Sequence, residues 1–115
     1  MSTVTICTKT WHDIDSDALM DLVWGYGAMS YPWWVSNERI DAETWRLGVQ
    51  HEGEETVRYC TITANDIGWA LARVIERGKV NVGTRERIGV DFAELDASDV
   101  DVILQTACFG EEIYA

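Results

Sequence analysis

The chain has 115 residues, a formal net charge of −11 at neutral pH and a hydrophobic fraction of 47%. This fraction excludes a disordered chain, and the length predicts a single domain over residues 1–115 that buries roughly 65% of its unfolded surface. The acidity disfavours direct binding of a nucleic-acid backbone, because phosphate contacts need a positive surface. No apolar run approaches the roughly 20 residues of a membrane span, and no secretory signal is visible, so we expect a cytoplasmic protein without membrane contact.

The three cysteines are widely separated in the sequence. Cys7, Cys60 and Cys108 form no CxxC pair, and no histidine lies at metal-ligand spacing from any of them. We therefore expect three reduced, packed cysteines and no metal or other cofactor.

The first predicted element is a strand. Thr3 to Thr8 alternates with a period of two and is rich in β-branched residues, which places Val4 and Ile6 on the buried face. A polar turn is predicted next, formed by His12, Asp13, Asp15 and Ser16.

A helix is predicted after this turn. Asp15 or Ser16 is a suitable N-cap, and apolar residues from Ala18 onward recur at the three and four spacing of one helical face. Pro32 forbids regular continuation, so the helix should stop near Met29.

The stretch from Leu22 to Trp34 holds three tryptophans and two tyrosines, half of the ten Trp and Tyr residues of the chain. Trp33 and Trp34 begin a strand or edge segment, and neighbours in an extended segment face opposite sides, so only one indole should enter the core. The helical residues Trp24 and Tyr26 are expected to pack. The stretch suits core packing, an oligomer seam, a ligand surface or a host-protein contact, and an uncovered indole favours a homo-oligomer.

A β-hairpin is the clearest strand signal in the chain. Residues 44–50 and 56–62 alternate in hydrophobicity, and the polar connection 51–55 contains Gly53 for a positive φ.

Two further helices have recognisable ends. The first helix should begin with a capping box over residues 63–66 and end at Gly78. The second should begin at an N-cap, Asp96 or Ser98, and end at Gly110. Together the elements predict an α+β fold with a small, mainly antiparallel sheet of about three to five short strands packed against about three helices.

Basic residues are concentrated in one part of this acidic chain. Residues 79–91 are expected to form a loose strand, a solvated connection or an anion-binding loop. The third alternative is included because glycines and arginines in this segment can offer backbone N–H groups and guanidinium forks to an anion. The segment matches no phosphate-loop or dinucleotide fingerprint. Five of the nine Lys and Arg residues lie within fifteen positions: Arg73, Arg77, Lys79, Arg85 and Arg87.

Three segments, residues 18–34, 62–75 and 99–115, resemble a family of small proteins of tailed bacteriophages, many of them infecting actinobacteria. The last segment reads as an Asp-x-Asp helix with a Gln, followed by Phe-Gly and a terminal Tyr. The matching residues are Asp99, Asp101, Gln105, Phe109, Gly110 and Tyr114. The resemblance implies a phage accessory protein that works in the host cytoplasm by binding.

The residues do not favour an enzyme. Asp99 and Asp101 point to different faces of a helix, and their first-turn position already accounts for them. His12 beside Asp13 has no orienting partner in the sequence.

Two binding hypotheses remain. In the first, the aromatic cluster stacks a small nucleotide-type ligand while arginines take its phosphate, so that a nucleotide immune signal is sequestered. The predicted ligand-binding residues are Trp24, Tyr26, Tyr31, Trp33, Trp34, Arg85 and Arg87. In the second, the acidic or aromatic surface inhibits a host protein by direct contact, as a possible DNA mimic.

Overall fold

Two strands form a small antiparallel sheet at the start of the chain. The computed structural model describes residues 2–7, 11–77 and 95–114, apart from the side chain of His12. Strand β1 (Thr3–Cys7) pairs with β2 (Trp11–Asp15), and Val4 lies opposite Ile14 in the core. The prediction of β1 is confirmed, whereas the predicted polar turn at residues 12–16 is wrong. Trp11 at the start of β2 is 74% exposed and Ile14 is buried, so the sequence of the strand shows no alternating apolar face.

The first helix is shorter than predicted. Helix α1 (Ser16–Asp21) has Asp15 as its N-cap, as expected, but it ends well before Met29. The N–H of Gly25 donates to the carbonyl of Asp21 over 2.7 Å, and a Cβ at Gly25 would meet that oxygen at 2.9 Å. The glycine therefore closes a tight turn that a longer side chain would obstruct. A short 3-10 helix (Ala28–Ser30) follows.

Within the described residues, the second sheet is formed by three antiparallel strands in the order β3–β4–β5. Strand β3 (Trp34–Asp41) is one of the two outer strands in this order, and β4 (Thr44–Val49) and β5 (Arg58–Thr63) are the predicted hairpin. Trp45 of β4 faces Ile62 of β5 in the core. The strand prediction at Trp34 is confirmed, and the polar segment after it also belongs to the strand, as an exposed outer strand permits.

Helix α2 (Ala64–Glu76) lies at the centre of the fold and contacts both sheets and the other two helices. Its predicted capping box is present. A Cβ at Gly68 would lie 2.6 Å from a methyl group of Val4, so glycine permits the close approach of α2 to β1. The predicted C-cap at Gly78 lies outside the described residues.

Helix α3 (Ala97–Phe109) is also bounded as predicted. Asp96 is the N-cap in a capping box with Asp99, and Gly110 ends the helix with a φ of 82°. The described residues thus form an α+β fold, and the predicted fold class is confirmed. No helix within the described ranges is long and apolar enough to cross a membrane. The segment 79–91 lies outside them.

A disulfide joins the second sheet to the last helix. Cys60 of β5 is bonded to Cys108 of α3, with their Cα atoms 5.7 Å apart. The expectation that all three cysteines are reduced is therefore wrong. The two cysteines are 48 positions apart, and only the packing of α3 against β5 brings them together. Their spacing in the sequence could not predict the bond.

Candidate functional site

A buried carboxylate holds both tryptophans of the Trp-Trp pair. The indole N–H groups of Trp33 and Trp34 donate to the same oxygen of Asp101, at 2.8 and 2.6 Å. The prediction that the two indoles face opposite sides is therefore wrong. Trp33 precedes β3 in a turn, where the backbone N–H of Trp34 donates to the backbone carbonyl of Tyr31. The two tryptophans are therefore not in an extended segment. A turn allows neighbouring side chains to converge on one acceptor.

The environment of Asp101 perturbs its protonation. Burial raises the pKa of this carboxyl above its ordinary value of 3.8, while the hydrogen bonds from Trp33, Trp34 and Gln105 partly offset that effect. No ion pair of Asp101 is found within the described parts of the chain. A buried carboxylate without a cation depends on these donors for its solvation. Its role is therefore to position the indoles.

Gln105 fastens the end of the chain to the same network. Its side chain is fully buried, and its amide group donates to Asp101 at 2.9 Å and to the carbonyl of Tyr114 at 3.0 Å. Its amide oxygen accepts the backbone N–H groups of Ile113 and Tyr114, both at 2.8 Å. The amide thus uses both donor hydrogens and both lone pairs. This satisfied network fixes the position of the Tyr114 ring.

Four aromatic rings form a stacked column beside this network. Tyr31 stacks on Trp33 with centroids 5.0 Å apart, Trp33 is 6.2 Å from Tyr114, and Tyr114 is 5.2 Å from His51. The planes of successive rings differ by 7°, 21° and 14°. The two inner rings therefore face other rings on both sides. His51 is exposed at one end of the column, with one face turned away from Tyr114.

An open cleft of about 560 Å³ lies beside the column, and both His51 and Trp33 line it. Residues 50–54, the first part of the connection between β4 and β5, line it together with Pro32, Trp33 and Val35. Glu54 accepts a hydrogen bond from the Tyr114 hydroxyl at 3.4 Å and lies 3.9 Å from the Arg58 guanidinium. Burial and the nearby charge of Glu54 raise the pKa of Tyr114. The cleft thus combines an aromatic end with carboxylates.

The structure brings only some of the predicted site residues together. Tyr31 and Trp33 belong to the column, and Trp34 is buried beneath it. Tyr26 packs against the core, half-buried, as expected. Trp24 was expected to pack, but it is 57% exposed, and its ring meets that of Trp45 edge-on with centroids 6.2 Å apart. This expectation is wrong because α1 ends before Trp24.

The remaining predicted site residues, Arg85 and Arg87, lie outside the described residues. Two other basic residues from positions 73–87 have structural contacts. The Arg73 guanidinium lies 5.3 Å from the Trp69 ring centroid, and the Arg77 guanidinium donates to the Gly110 carbonyl at 3.4 Å. Neither of them lines the cleft beside His51. An arginine contact to a ligand there has to come from elsewhere.

Sequence reasoning missed four residues of this site. His51 was assigned to a polar connection, and the acidic first turn of α3 accounted for Asp101 without its buried contacts. Gln105 and Tyr114 stood among the residues that carry the phage-protein resemblance. That motif was the sequence feature that could have indicated the site. Asp101, Gln105 and Tyr114 hold or join the column, and Gly110 ends α3 before the chain reaches Tyr114.

Comparison of the chain with protein-family models, curated proteins and solved structures found no match in any of the three. Within residues 2–7, 11–77 and 95–114, no group of three or more His, Cys, Asp and Glu side chains is arranged to hold a metal ion. The function therefore has to be argued from the geometry of the cleft.

Proposed function

We propose that this chain is a non-catalytic binding protein that takes a small nucleotide-type ligand into the cleft beside His51. The observation behind this proposal is the exposed His51 ring at the end of a stacked column, open to a cleft of about 560 Å³. In the setting implied by the phage-protein resemblance, such binding would sequester a nucleotide immune signal in the host cytoplasm.

The column suits a flat ligand because its rings are already ordered. Asp101 fixes the Trp33 edge, and Gln105 fixes the Tyr114 backbone. His51 stacks on Tyr114, and its Nδ1 lies 3.1 Å from the Glu52 carbonyl, so a ligand that stacks on His51 meets a ring with reduced freedom. This lowers the entropy cost of binding. Stacking of a base on an aromatic side chain is worth about 1 to 3 kcal/mol.

The charges of the cleft favour entry of the base and not of the phosphate. Glu52 and Glu54 line it, and none of the described lining residues is a lysine or arginine. A phosphate would be repelled by these carboxylates. The phosphate should therefore point out of the cleft. Arg85 and Arg87, the phosphate partners predicted from the sequence, lie outside the described residues.

Calorimetric titration tests the proposal. A panel of cyclic and ADP-ribose-type nucleotides is titrated into the wild type, into His51→Ala and into Tyr59→Ala, with tryptophan fluorescence as a second readout. Tyr59 is the matched control, because it is an exposed aromatic residue that does not line the cleft. Binding that is lost only in His51→Ala supports the proposal. Absence of binding by the whole panel would overturn it.

The role of the two arginines is tested separately. Arg85→Ala combined with Arg87→Ala should weaken a phosphorylated ligand and leave the corresponding nucleoside unchanged. Equal losses for the nucleotide and the nucleoside would contradict a phosphate contact at these residues.

A second candidate function is inhibition of a host protein by direct contact. The observation that favours it is the exposure of Trp24, at 57%, and of Trp11, at 74%, since aromatic anchors are common at protein interfaces. A pull-down from host lysate with the wild type and Trp24→Ala tests it. A DNA mimic should release its partner as salt rises.

The exposed indoles also bear on the predicted homo-oligomer. Its test is the mass in solution at tens of micromolar, where a monomeric wild type would contradict the prediction. Trp24→Ala should dissociate an oligomer that uses this surface.

The host cytoplasm as the site of action is part of the proposal. Disulfides are rare in reducing cytosol, so the Cys60–Cys108 bond makes this point testable. Protein taken from infected cells and alkylated at once should contain the two cysteines reduced if the chain works there. A persistent bond would contradict a cytoplasmic site.

A further inference from the structure

The lining of the cleft beside His51 is rich in hydrogen-bond acceptors. Glu52 is exposed there and Glu54 is partly buried, and each carboxylate can only accept when ionised. The side-chain NH₂ of Gln50 donates to the backbone carbonyl of Glu54 at 2.9 Å. The side-chain oxygen of Gln50 then remains as an acceptor.

The histidine ring adds a further acceptor. Nδ1 of His51 lies 3.1 Å from the backbone carbonyl of Glu52. A carbonyl oxygen only accepts, so this contact calls for a proton on Nδ1, and in that tautomer Nε2 presents a lone pair. A ligand that fills this cleft must therefore bring donors on the edge that meets the lining.

The bases differ in the donors on their Watson–Crick edges. Guanine presents two adjacent donors, N1–H and the exocyclic amine, which match the two oxygens of one carboxylate. Adenine and cytosine place a ring-nitrogen acceptor beside their single amino group, and that acceptor would face the carboxylate unfavourably. Uracil has one N–H donor between two carbonyl groups. A bidentate contact to a carboxylate thus selects guanine.

We infer that the cleft selects a guanine-type base, which stacks on the outer face of His51 and donates two N–H groups to the carboxylate of Glu52. This inference rests on the proposed function and specifies its ligand class. Glu52 is the acceptor assigned to the base because Glu54 is already engaged by Tyr114 and Arg58.

The experiment compares three nucleotides that differ on this edge. GMP, IMP and AMP are titrated by calorimetry into the wild type, Glu52→Gln and Glu55→Gln. IMP lacks only the exocyclic amine of GMP. Glu55 is an exposed neighbour that does not line the cleft, so its variant is the matched control.

The wild type and Glu55→Gln should bind GMP about tenfold more tightly than IMP or AMP, and Glu52→Gln should lose this preference. Equal binding of GMP and AMP, or a GMP preference that survives in Glu52→Gln, would overturn the inference and leave the cleft as a ligand site. If no nucleotide of this set or of the wider panel binds, the inference and the proposed function both fail.

Discussion

The indole N–H of Trp34 donates to the buried carboxylate of Asp101 over 2.6 Å, across 67 positions of the chain. This contact ties the first residue of β3 to the first turns of α3. Asp101 also holds Trp33 and is held by Gln105. The aromatic column beside the cleft therefore depends on a polar network beneath it.

Asp101→Asn should destabilise the fold by about 1 to 3 kcal/mol. An asparagine oxygen can accept both indoles, but its NH₂ group then faces the donating amide of Gln105. Gln105 cannot turn over, because its oxygen accepts the Ile113 and Tyr114 N–H groups. Urea unfolding measures the loss, with Glu111→Gln as the control at an exposed carboxylate. Equal losses in the two variants would contradict the role of Asp101.

The loss in Asp101→Asn should grow as the pH falls. Burial raises the folded-state pKa of Asp101 above its ordinary value of 3.8. At a pH between the ordinary pKa and the folded-state pKa, the folded protein therefore binds more protons than the unfolded chain. The contribution of this group to the unfolding free energy then rises on acidification. Asparagine does not titrate, so the wild type gains relative to the variant. Unfolding at neutral pH and at about pH 4.5 measures the change. A smaller difference at the lower pH would show that the sign is wrong.

The same substitution at two tryptophans should have different consequences. Trp34→Phe removes a buried N–H donor and some apolar volume, and we expect a loss of about 1 to 3 kcal/mol. Trp24→Phe changes an exposed ring and should stay within about 0.5 kcal/mol of the wild type. Thermal or urea unfolding compares the two directly. The assignment of Trp34 to the core and Trp24 to the surface fails if their losses are alike.

Local chemistry made much of the fold predictable. The capping boxes that begin at Thr63 and Asp96 each satisfy backbone donors within four residues, so the sequence displays them directly. The hairpin of β4 and β5 is likewise encoded by alternation around a short polar connection. The end of α1 was misplaced, since a run of apolar spacing continued through the tight turn at Gly25.

The candidate site depends on pairings that local patterns do not encode. Asp101 looked like an ordinary acidic residue near a helix start, because its partners Trp33 and Trp34 lie in another element. His51 looked like a loop residue, and only the fixed position of Tyr114 makes it the end of a column. Long-range contacts of this kind become visible only when the helices are packed on the sheets.

Gln105→Met should release the end of the chain. Methionine is similar in length, but it offers no strong acceptor to the backbone N–H groups of Ile113 and Tyr114. These amides should exchange hydrogen faster, and the ring of Tyr114 should no longer be held against His51. Hydrogen exchange measures the release, with Ile67 in the middle of α2 as an internal reference. Unchanged exchange at Ile113 and Tyr114 would contradict the proposed clamp.

Reduction of the Cys60–Cys108 bond should lower the unfolding free energy by about 2 to 4 kcal/mol, because the bond closes a long loop of the unfolded chain. Urea unfolding with and without dithiothreitol measures the difference. Cys108→Ser is the control, since it lacks the bond and its stability should not respond to the reductant. Mass spectrometry of a non-reduced digest should contain a peptide pair linked through the two cysteines. The bond is ruled out for oxidised protein if that pair is missing and the reductant leaves the urea midpoint of the wild type unchanged.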